Sequence, residues 1–354
     1  MKKKLQKLRE KRQAKKELHA TGVIPRITNE NVAEHREEIL SGARKYIYPL
    51  QHSKHRIIIL TTTLVIISVI IFSLVTVLLL YRQQSSSNFM YQLTKVIPYP
   101  VARTGNTLIA YENYLFELRH YIHYYETQQH LSFESEAGQA QLASYKKRAL
   151  EDVVDLAYTK MIAAERGISV TDEEVDNQIR IAREQNRLGS SDSIFEDVLR
   201  DFWDWSVDDF YRSLKNELLV QKVTRALDNE AEVRAQEALN KLREGADFAE
   251  IAKQYSDEEG TRDGGGEFGE VDKSNRNVSQ QTVDTLLNLE PGQISDVTVI
   301  PYQTGYALEI VKNLEDKGSG ARGAHIIIAL KDIAGTLNDR KEEKPYRLYI
   351  SLPE

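Results

Sequence analysis

Residues 57–80 read IIILTTTLVIISVIIFSLVTVLLL, a run of 24 residues without a charged side chain. At about 1.5 Å of rise per residue, a helix of this length extends roughly 36 Å, which is enough to cross a hydrocarbon core of about 30 Å. The Thr and Ser hydroxyls in the run can donate to helix carbonyls and so are compatible with lipid. The run therefore predicts one transmembrane helix, with bounds 57–81, which divides the chain into a short N-terminal and a long C-terminal part.

The distribution of charge gives this helix an orientation. Residues 1–56 carry 15 Lys and Arg against 6 Asp and Glu, whereas the remainder carries 32 against 47. Because basic flanks stay in the cytoplasm, we expect residues 1–56 to be a cytoplasmic basic tail of a plasma-membrane protein and the C-terminal part to be extracytoplasmic. A cleaved signal peptide is the alternative, but its apolar core is only about 7–15 residues long.

The basic tail itself could contact anionic lipid or nucleic acid. The simpler interpretation is a solvated tail that sets topology, so the lipid bilayer is an expected partner and nucleic acid is not. The chain has 354 residues and no cysteine. Its length suggests two or three folded units, and the absence of cysteine excludes disulfides, thiolate metal sites and cysteine nucleophiles.

Residues 82–98 are polar at first and are interpreted as a linker. From 99 to 228 the spacing of apolar residues predicts helices. Gly167 is typical of a helix end, and Thr171 followed by Glu174 is a capping box that starts the next helix. His120 and His123 are too few ligands for a metal site, and no catalytic constellation is evident in this region.

Three segments of this region resemble the SurA/PrsA-type foldases. They are 101–117 (VARTGNTLIAYENYLFE), 149–179 (ALEDVVDLAYTKMIAAERGISVTDEEVDNQI) and 194–223. The resemblance implies that residues 99–228 form an all-helical chaperone domain that cradles unfolded chains.

Residues 229–315 differ in character. A helix over 230–244 and a second one lead into the Gly-rich loop GTRDGGGEFGEV (260–271), the turn LEPGQIS (289–295) and two strand-like runs. This order resembles the parvulin peptidyl-prolyl isomerases. The residues that carry the resemblance are Gly245–Phe248, Ala252, Tyr255–Ser256, Gly265–Gly269, Leu289–Ser295 and Thr304–Tyr306.

The histidine-bearing strand with which parvulins normally begin is missing before Glu230. A matching segment, ARGAHIII (321–328), follows the last strand instead. Because the family's first and last strands are neighbours, a hairpin through 317–323 could return His325 to its usual place. We therefore favour a circular permutation, with the first strand at 321–330; the start of a second, truncated copy is the rival interpretation.

The resemblance implies an α+β fold: the transmembrane helix, the helical SurA-like domain, and a parvulin-like domain over 229–354 with a mainly antiparallel sheet flanked by helices. It implies peptidyl-prolyl isomerisation of unfolded or nascent exported polypeptides with X-Pro bonds, without cofactor or metal. Weak activity is expected, because Ala307 stands where the family has its last-strand histidine and the proline-pocket segment 277–283 is reduced. A non-catalytic holdase of the same fold and an envelope protein with one dedicated partner are the alternatives. The implied catalytic residues are His325 with Glu258 or its neighbour Asp257, and the implied substrate-binding residues are Phe268, Val278, Val283 and Tyr306.

Overall fold

A computed structural model describes residues 28–47, 49–184, 191–275 and 277–352. The chain divides into two compact units, one up to Thr76 and the other from Val77 onwards. The first unit holds α1 (Asn29–Ile47) and nearly all of α2 (Pro49–Val77). The apolar run is helical throughout: residues 56–82 form one continuous helical stretch that is long and apolar enough to cross a membrane.

Residues 82–98 are not a linker, contrary to the sequence-based expectation. A π-helical turn (Leu78–Arg82) is followed by α3 (Asn88–Val96), in which the side chains of Met90 and Tyr91 are buried. The Ser87 hydroxyl accepts from the Met90 N–H at 3.4 Å and so caps this helix. The polar residues that led to the linker interpretation therefore include a helix cap. The helix that follows is packed into the second unit.

We term residues 77–228 the helical part; it includes the π-helical turn and α3 and continues with the helices and strands given below. Its core is rich in tyrosine: Tyr111, Tyr114 and Tyr158 are each almost completely buried. Besides its helices, this part contains a β-hairpin. The elements are β1 (Pro100–Thr104), β2 (Thr107–Ala110), α4 (Tyr111–Thr127), α5 (Glu136–Arg166), α6 (Asp172–Glu184), α7 (Asp192–Trp203) and α8 (Val207–Leu227).

The helix ends in this part form as their sequences predict. Gly167 ends α5 with φ +66°, a left-handed conformation that glycine adopts without strain. The Thr171 hydroxyl accepts from the Glu174 N–H at 3.3 Å, and the Glu174 carboxylate accepts from the Thr171 N–H at 2.8 Å. Local sequence alone therefore fixes these boundaries.

Residues 229–330, which we term the sheet part, contain a four-stranded antiparallel sheet in the order β3-β6-β5-β4. Helices α9 and α10 pack on one face of this sheet, and α12 packs on the other. The elements are α9 (Asn229–Arg243), α10 (Phe248–Tyr255), α11 (Glu259–Arg262), β3 (Glu267–Val271), α12 (Gln280–Leu287), β4 (Thr298–Tyr302), β5 (Gly305–Lys317) and β6 (Gly320–Ala329).

Strand β6 is an interior strand of the four-stranded sheet. It forms a tight hairpin with β5 and pairs on its other side with β3, so it lies between two strands that precede it in the chain. Two glycines allow the close approach that this requires. A Cβ on Gly266, which has φ +84°, would lie 2.3 Å from the His325 carbonyl oxygen, and one on Gly323 would lie 2.4 Å from the Phe268 ring.

The end of the described chain returns to the helical part. Helix α13 (Ala334–Glu343) packs on α5, where Arg340 pairs with Glu165 at 2.7 Å, and strand β7 (Tyr346–Leu348) pairs with β1. The side chains of Leu337 and Ile350 belong to the core of the helical part. Residues 334–350 therefore belong to the helical part, whereas the expected bounds 229–354 placed them in the parvulin-like domain.

The chain passes from the helical part into the sheet part before α9 and returns after β6, and Asp228 bonds to both connecting segments. Its carboxylate accepts from the Ala231 N–H at 3.1 Å, at the start of α9, and from the Lys331 N–H at 2.8 Å, just after β6. Its side chain is buried. The sheet part is thus inserted into the helical part, and its first and last residues are neighbours.

Candidate functional site

His325 lies in the middle of β6, on the sheet face opposite α9 and α10. It is 4% exposed, it is paired with Val311 of β5, and its N–H donates to the Gly266 carbonyl oxygen at 2.9 Å. The Gly-rich loop that precedes β3 is therefore the element that packs directly against this histidine.

Both nitrogens of the His325 ring contact carboxylates. Nε2 lies 2.6 Å from Glu258 Oε2, and Nδ1 lies 2.9 Å from Glu309 Oε1. A carboxylate can only accept, so each ring nitrogen donates and the ring is an imidazolium. Burial by itself lowers the pKa of His325, but the hydrogen bonds and charges of Glu258 and Glu309 outweigh burial and raise the pKa to about 9.

Glu258 is the outer of the two carboxylates. It lies between α10 and α11 and keeps 27% of its side chain exposed. The Thr261 hydroxyl donates to its Oε2 at 2.6 Å. The hydrogen bond from His325 is the largest influence on its pKa and, with the bond from Thr261, holds that pKa below its usual range despite partial burial. A negative charge is therefore fixed at the surface of the site.

Glu309 is a residue that the sequence analysis missed. It lies on β5 with 0% of its side chain exposed. The Thr282 hydroxyl, on α12, lies 2.9 Å and 2.8 Å from its two carboxylate oxygens. The signal in the sequence was an acidic residue inside the apolar strand ALEIV (307–311), at a position whose side chain shares a sheet face with His325.

Of the predicted substrate-binding residues, only Phe268 adjoins His325. The two ring centroids are 4.7 Å apart, and the Phe268 ring is half-buried. Val278 is half-buried and packs against the small core under α12, and Val283 is fully buried in that core. In this structure Val283 has no exposed surface and contributes to the core under α12.

Asp257 and Tyr306 lie apart from the site. The Asp257 carboxylate pairs with Arg234 at 2.7 Å and accepts from the Ala329 N–H at 2.9 Å, which gives it a structural role at the end of β6. Tyr306 packs on the opposite face of the sheet, with the core of α9 and α10. Of the two acids considered for the site, Glu258 is therefore the one that meets His325.

Ala307 stands where the resemblance led us to expect the family's last-strand histidine. It is fully buried and packs with Ile300 and Ile327 in a small apolar cluster on the same sheet face as His325. No imidazole faces His325 from this position.

Two family descriptions match the chain. The PPIC-type PPIASE domain, a rotamase, matches residues 218–315, and the SurA-like N-terminal domain matches residues 50–224. The chain therefore combines a SurA-like N-terminal region with a parvulin-type domain, an architecture similar to that of the PrsA foldases. The parvulin match ends before β6, so His325 lies outside it and joins the domain only through the sheet topology.

Several curated proteins similar to this chain carry the name foldase protein PrsA. The chain is 26% identical over 188 residues to the protein from Geobacillus sp. (strain WCH70). The aligned region covers 47% of this chain and 64% of the relative. The chain is also 26% identical over 187 residues to the protein from Caldanaerobacter subterraneus subsp. tengcongensis. That aligned region covers 50% of this chain and 59% of the relative. The chain thus spans less than two thirds of the length of these relatives.

Two solved structures also match part of this chain. The foldase PrsA of Streptococcus pneumoniae str. Canada MDR_19A is 20% identical, covering 60% of this chain and 82% of its own, with a TM-score of 0.19. The peptidylprolyl isomerase PrsA of Bacillus anthracis is 20% identical, covering 52% and 84%, with a TM-score of 0.17.

Proposed function

We propose that this chain is a membrane-tethered, extracytoplasmic peptidyl-prolyl cis–trans isomerase and foldase that acts on unfolded exported polypeptides. The observation that carries the proposal is the Glu258–His325 pair, which presents a fixed carboxylate at the surface of a parvulin-type domain, beside the ring of Phe268. The SurA-like match over the helical part supports a role in holding unfolded chains.

The chemistry requires no covalent step. An X-Pro bond isomerises slowly because amide resonance gives its C–N bond partial double-bond character and its oxygen partial negative charge. A carboxylate beside that oxygen destabilises the planar amide more than the twisted transition state, in which resonance is lost. Interactions that differ between the ground and transition states in this way lower the barrier. Glu258 is the exposed carboxylate that can do this, while Phe268 offers an apolar surface to the proline ring.

We also propose that the parvulin domain is circularly permuted. The family match stops at residue 315, and the strand that follows it pairs with β5 and β3 of the same sheet. A second, truncated copy would have no reason to fill the centre of the first copy's sheet. The adjacent ends of the inserted sheet part, joined at Asp228, are the geometry that a permutation needs.

The isomerase activity can be tested with Glu258→Gln. We expect kcat/KM for a proline-containing peptide, measured on the full chain in detergent micelles, to fall about tenfold or more, which corresponds to about 1.4 kcal/mol of transition-state stabilisation. The control is Glu259→Gln, because Glu259 is the exposed neighbour of Glu258 in sequence and is not one of the two carboxylates bonded to His325; its rate should match that of the parent.

A holdase without isomerase activity is the second candidate, and a specific observation favours it. Both His325 nitrogens are already bonded to protein carboxylates, and Ala307 offers no second histidine. If the parent chain gave no rate above the uncatalysed one but still suppressed aggregation of several unfolded substrates, the holdase would replace the isomerase. Suppression for one partner alone would instead indicate a dedicated interaction protein.

The membrane topology gives a separate prediction. Protease added outside intact spheroplasts should digest the region after residue 82 and leave an epitope fused before residue 28 intact, because the basic flank keeps the N-terminal side in the cytoplasm. After detergent lysis, both should be digested. Protection of the C-terminal region in intact spheroplasts would contradict the extracytoplasmic assignment.

A further inference from the structure

We propose that Glu309 is the positioning residue of this site: it fixes the orientation and charge of His325 from inside the sheet, so that His325 in turn fixes Glu258 at the surface. The inference deepens the proposed isomerase function and rests on it for its kinetic part.

The contacts form a continuous chain from the interior to the surface. The Ser279 and Thr282 hydroxyls are 2.7 Å apart, and Thr282 reaches both oxygens of Glu309. Glu309 accepts from His325 Nδ1–H at 2.9 Å, and Glu258 accepts from Nε2–H at 2.6 Å. Each member is held by the one before it, and among the three ionisable side chains Glu258 is the most exposed, at 27% against 6% for His325 and 0% for Glu309.

The burial of Glu309 excludes a direct role with substrate. With 0% of its side chain exposed, it can act only through His325. A carboxyl group buried without a cationic partner would be strongly unfavourable, so its presence beside an imidazolium indicates that the two groups are matched. The ring is held from both sides, because its two nitrogens contact carboxylates on different elements, β5 and the segment before α11.

The charge balance explains what Glu309 contributes. One imidazolium between two carboxylates leaves one net negative charge, and Glu258 is where solvent or a peptide can meet it. Without Glu309, the Nδ1–H of His325 would have no carboxylate to accept it, and the ring would be held only from the side of Glu258. The ring would then lose its proton at lower pH. Glu258 would then lose a fixed hydrogen-bond donor at its Oε2.

The experiment uses Glu309→Gln in the full chain in micelles. Glutamine keeps the size and an acceptor oxygen but removes the charge. The protonation of His325 is followed by NMR of 15N-labelled histidine, with its signals assigned by their loss in His325→Gln. We expect the pKa of His325 to fall by at least one unit, the alkaline limb of the kcat/KM profile to move to lower pH by a similar amount, and kcat/KM at about pH 9.5, on that limb, to fall about tenfold.

Two further variants keep the test decisive. Thr282→Val removes the hydroxyl that orients Glu309 and should lower the pKa of His325 by a smaller amount. This variant provides the test if Glu309→Gln does not fold. The matched control is Glu315→Gln: it lies on the same strand, is 50% exposed and pairs with Lys317, so neither the pKa of His325 nor the pH profile should change.

The outcomes separate this inference from the proposed function. An inactive parent chain would overturn the isomerase, whereas the NMR titration would still report whether Glu309 holds the charge of His325. An active parent whose His325 pKa and pH profile are the same in Glu309→Gln would overturn the positioning role alone. A loss of rate without any change in the pH profile would also count against it, because it would indicate general destabilisation.

Discussion

Replacing His325 with leucine is expected to lower the local free energy of unfolding of the β5–β6 hairpin by about 3–5 kcal/mol, because it leaves a buried carboxyl group without its partner. Glu309 has no exposed side-chain surface and takes its only cationic contact in the described residues from His325. The remaining contact, the Thr282 hydroxyl, is neutral and cannot replace that charge.

This loss can be measured by hydrogen exchange of the β5–β6 amides, analysed by mass spectrometry of the full chain. A change of about 3 kcal/mol corresponds to protection lowered roughly 150-fold. The double variant His325→Leu with Glu309→Leu should recover most of the protection, since it removes both charges together. Lys317→Ala is the control: its pair with Glu315 is exposed and should contribute less than about 1 kcal/mol. Equal losses in the single and double variants would contradict the expectation.

Features that depend on local sequence were predictable. The apolar run 57–80 specifies a helix whatever surrounds it, and the caps at Gly167 and Thr171 depend on residues no more than four positions away. The resemblance to a known family also led us to expect His325 beside Glu258 or its neighbour Asp257, although 67 positions separate His325 from Glu258.

Features that depend on packing between distant elements were not predictable. An acidic residue in a strand normally points to solvent, and only the presence of α12 above β5 makes Glu309 an interior residue. The choice between Asp257 and Glu258 depended on how the chain turns after α10, which directs the first towards Arg234 and the second towards His325.

The C-terminal segment illustrates the same limit. The partner of β7 could not be read from its own sequence, since β7 pairs with β1 across more than 240 positions. The Tyr158 hydroxyl on α5 donates to the Lys344 carbonyl oxygen and fixes this return of the chain. Nothing within 334–352 distinguishes that partner from an edge of the nearer sheet.

The stability of the sheet part is expected to fall as the pH rises through about 9. His325 has its pKa raised from 6.5 to about 9 in the folded chain, so its favourable contacts are fully present below about pH 6.5 and are lost as the pH rises through 9. The total effect is about 3 kcal/mol, since one pKa unit corresponds to about 1.4 kcal/mol. Glu258 acts in the opposite sense: its pKa is lowered, so its contribution is lost only as the pH falls through that lowered value.

The maximum of stability should therefore lie between about pH 4.5 and 6.5, where both groups are charged in the folded and unfolded chain alike. Protection factors of the β5–β6 amides, corrected for intrinsic exchange at each pH, should fall by about two orders of magnitude between pH 6.5 and 9.5. The double variant His325→Leu with Glu309→Leu lacks the titrating group and should show a much flatter profile over the same range. A parent profile as flat as that of the double variant would mean that the two carboxylates do not hold the proton on His325.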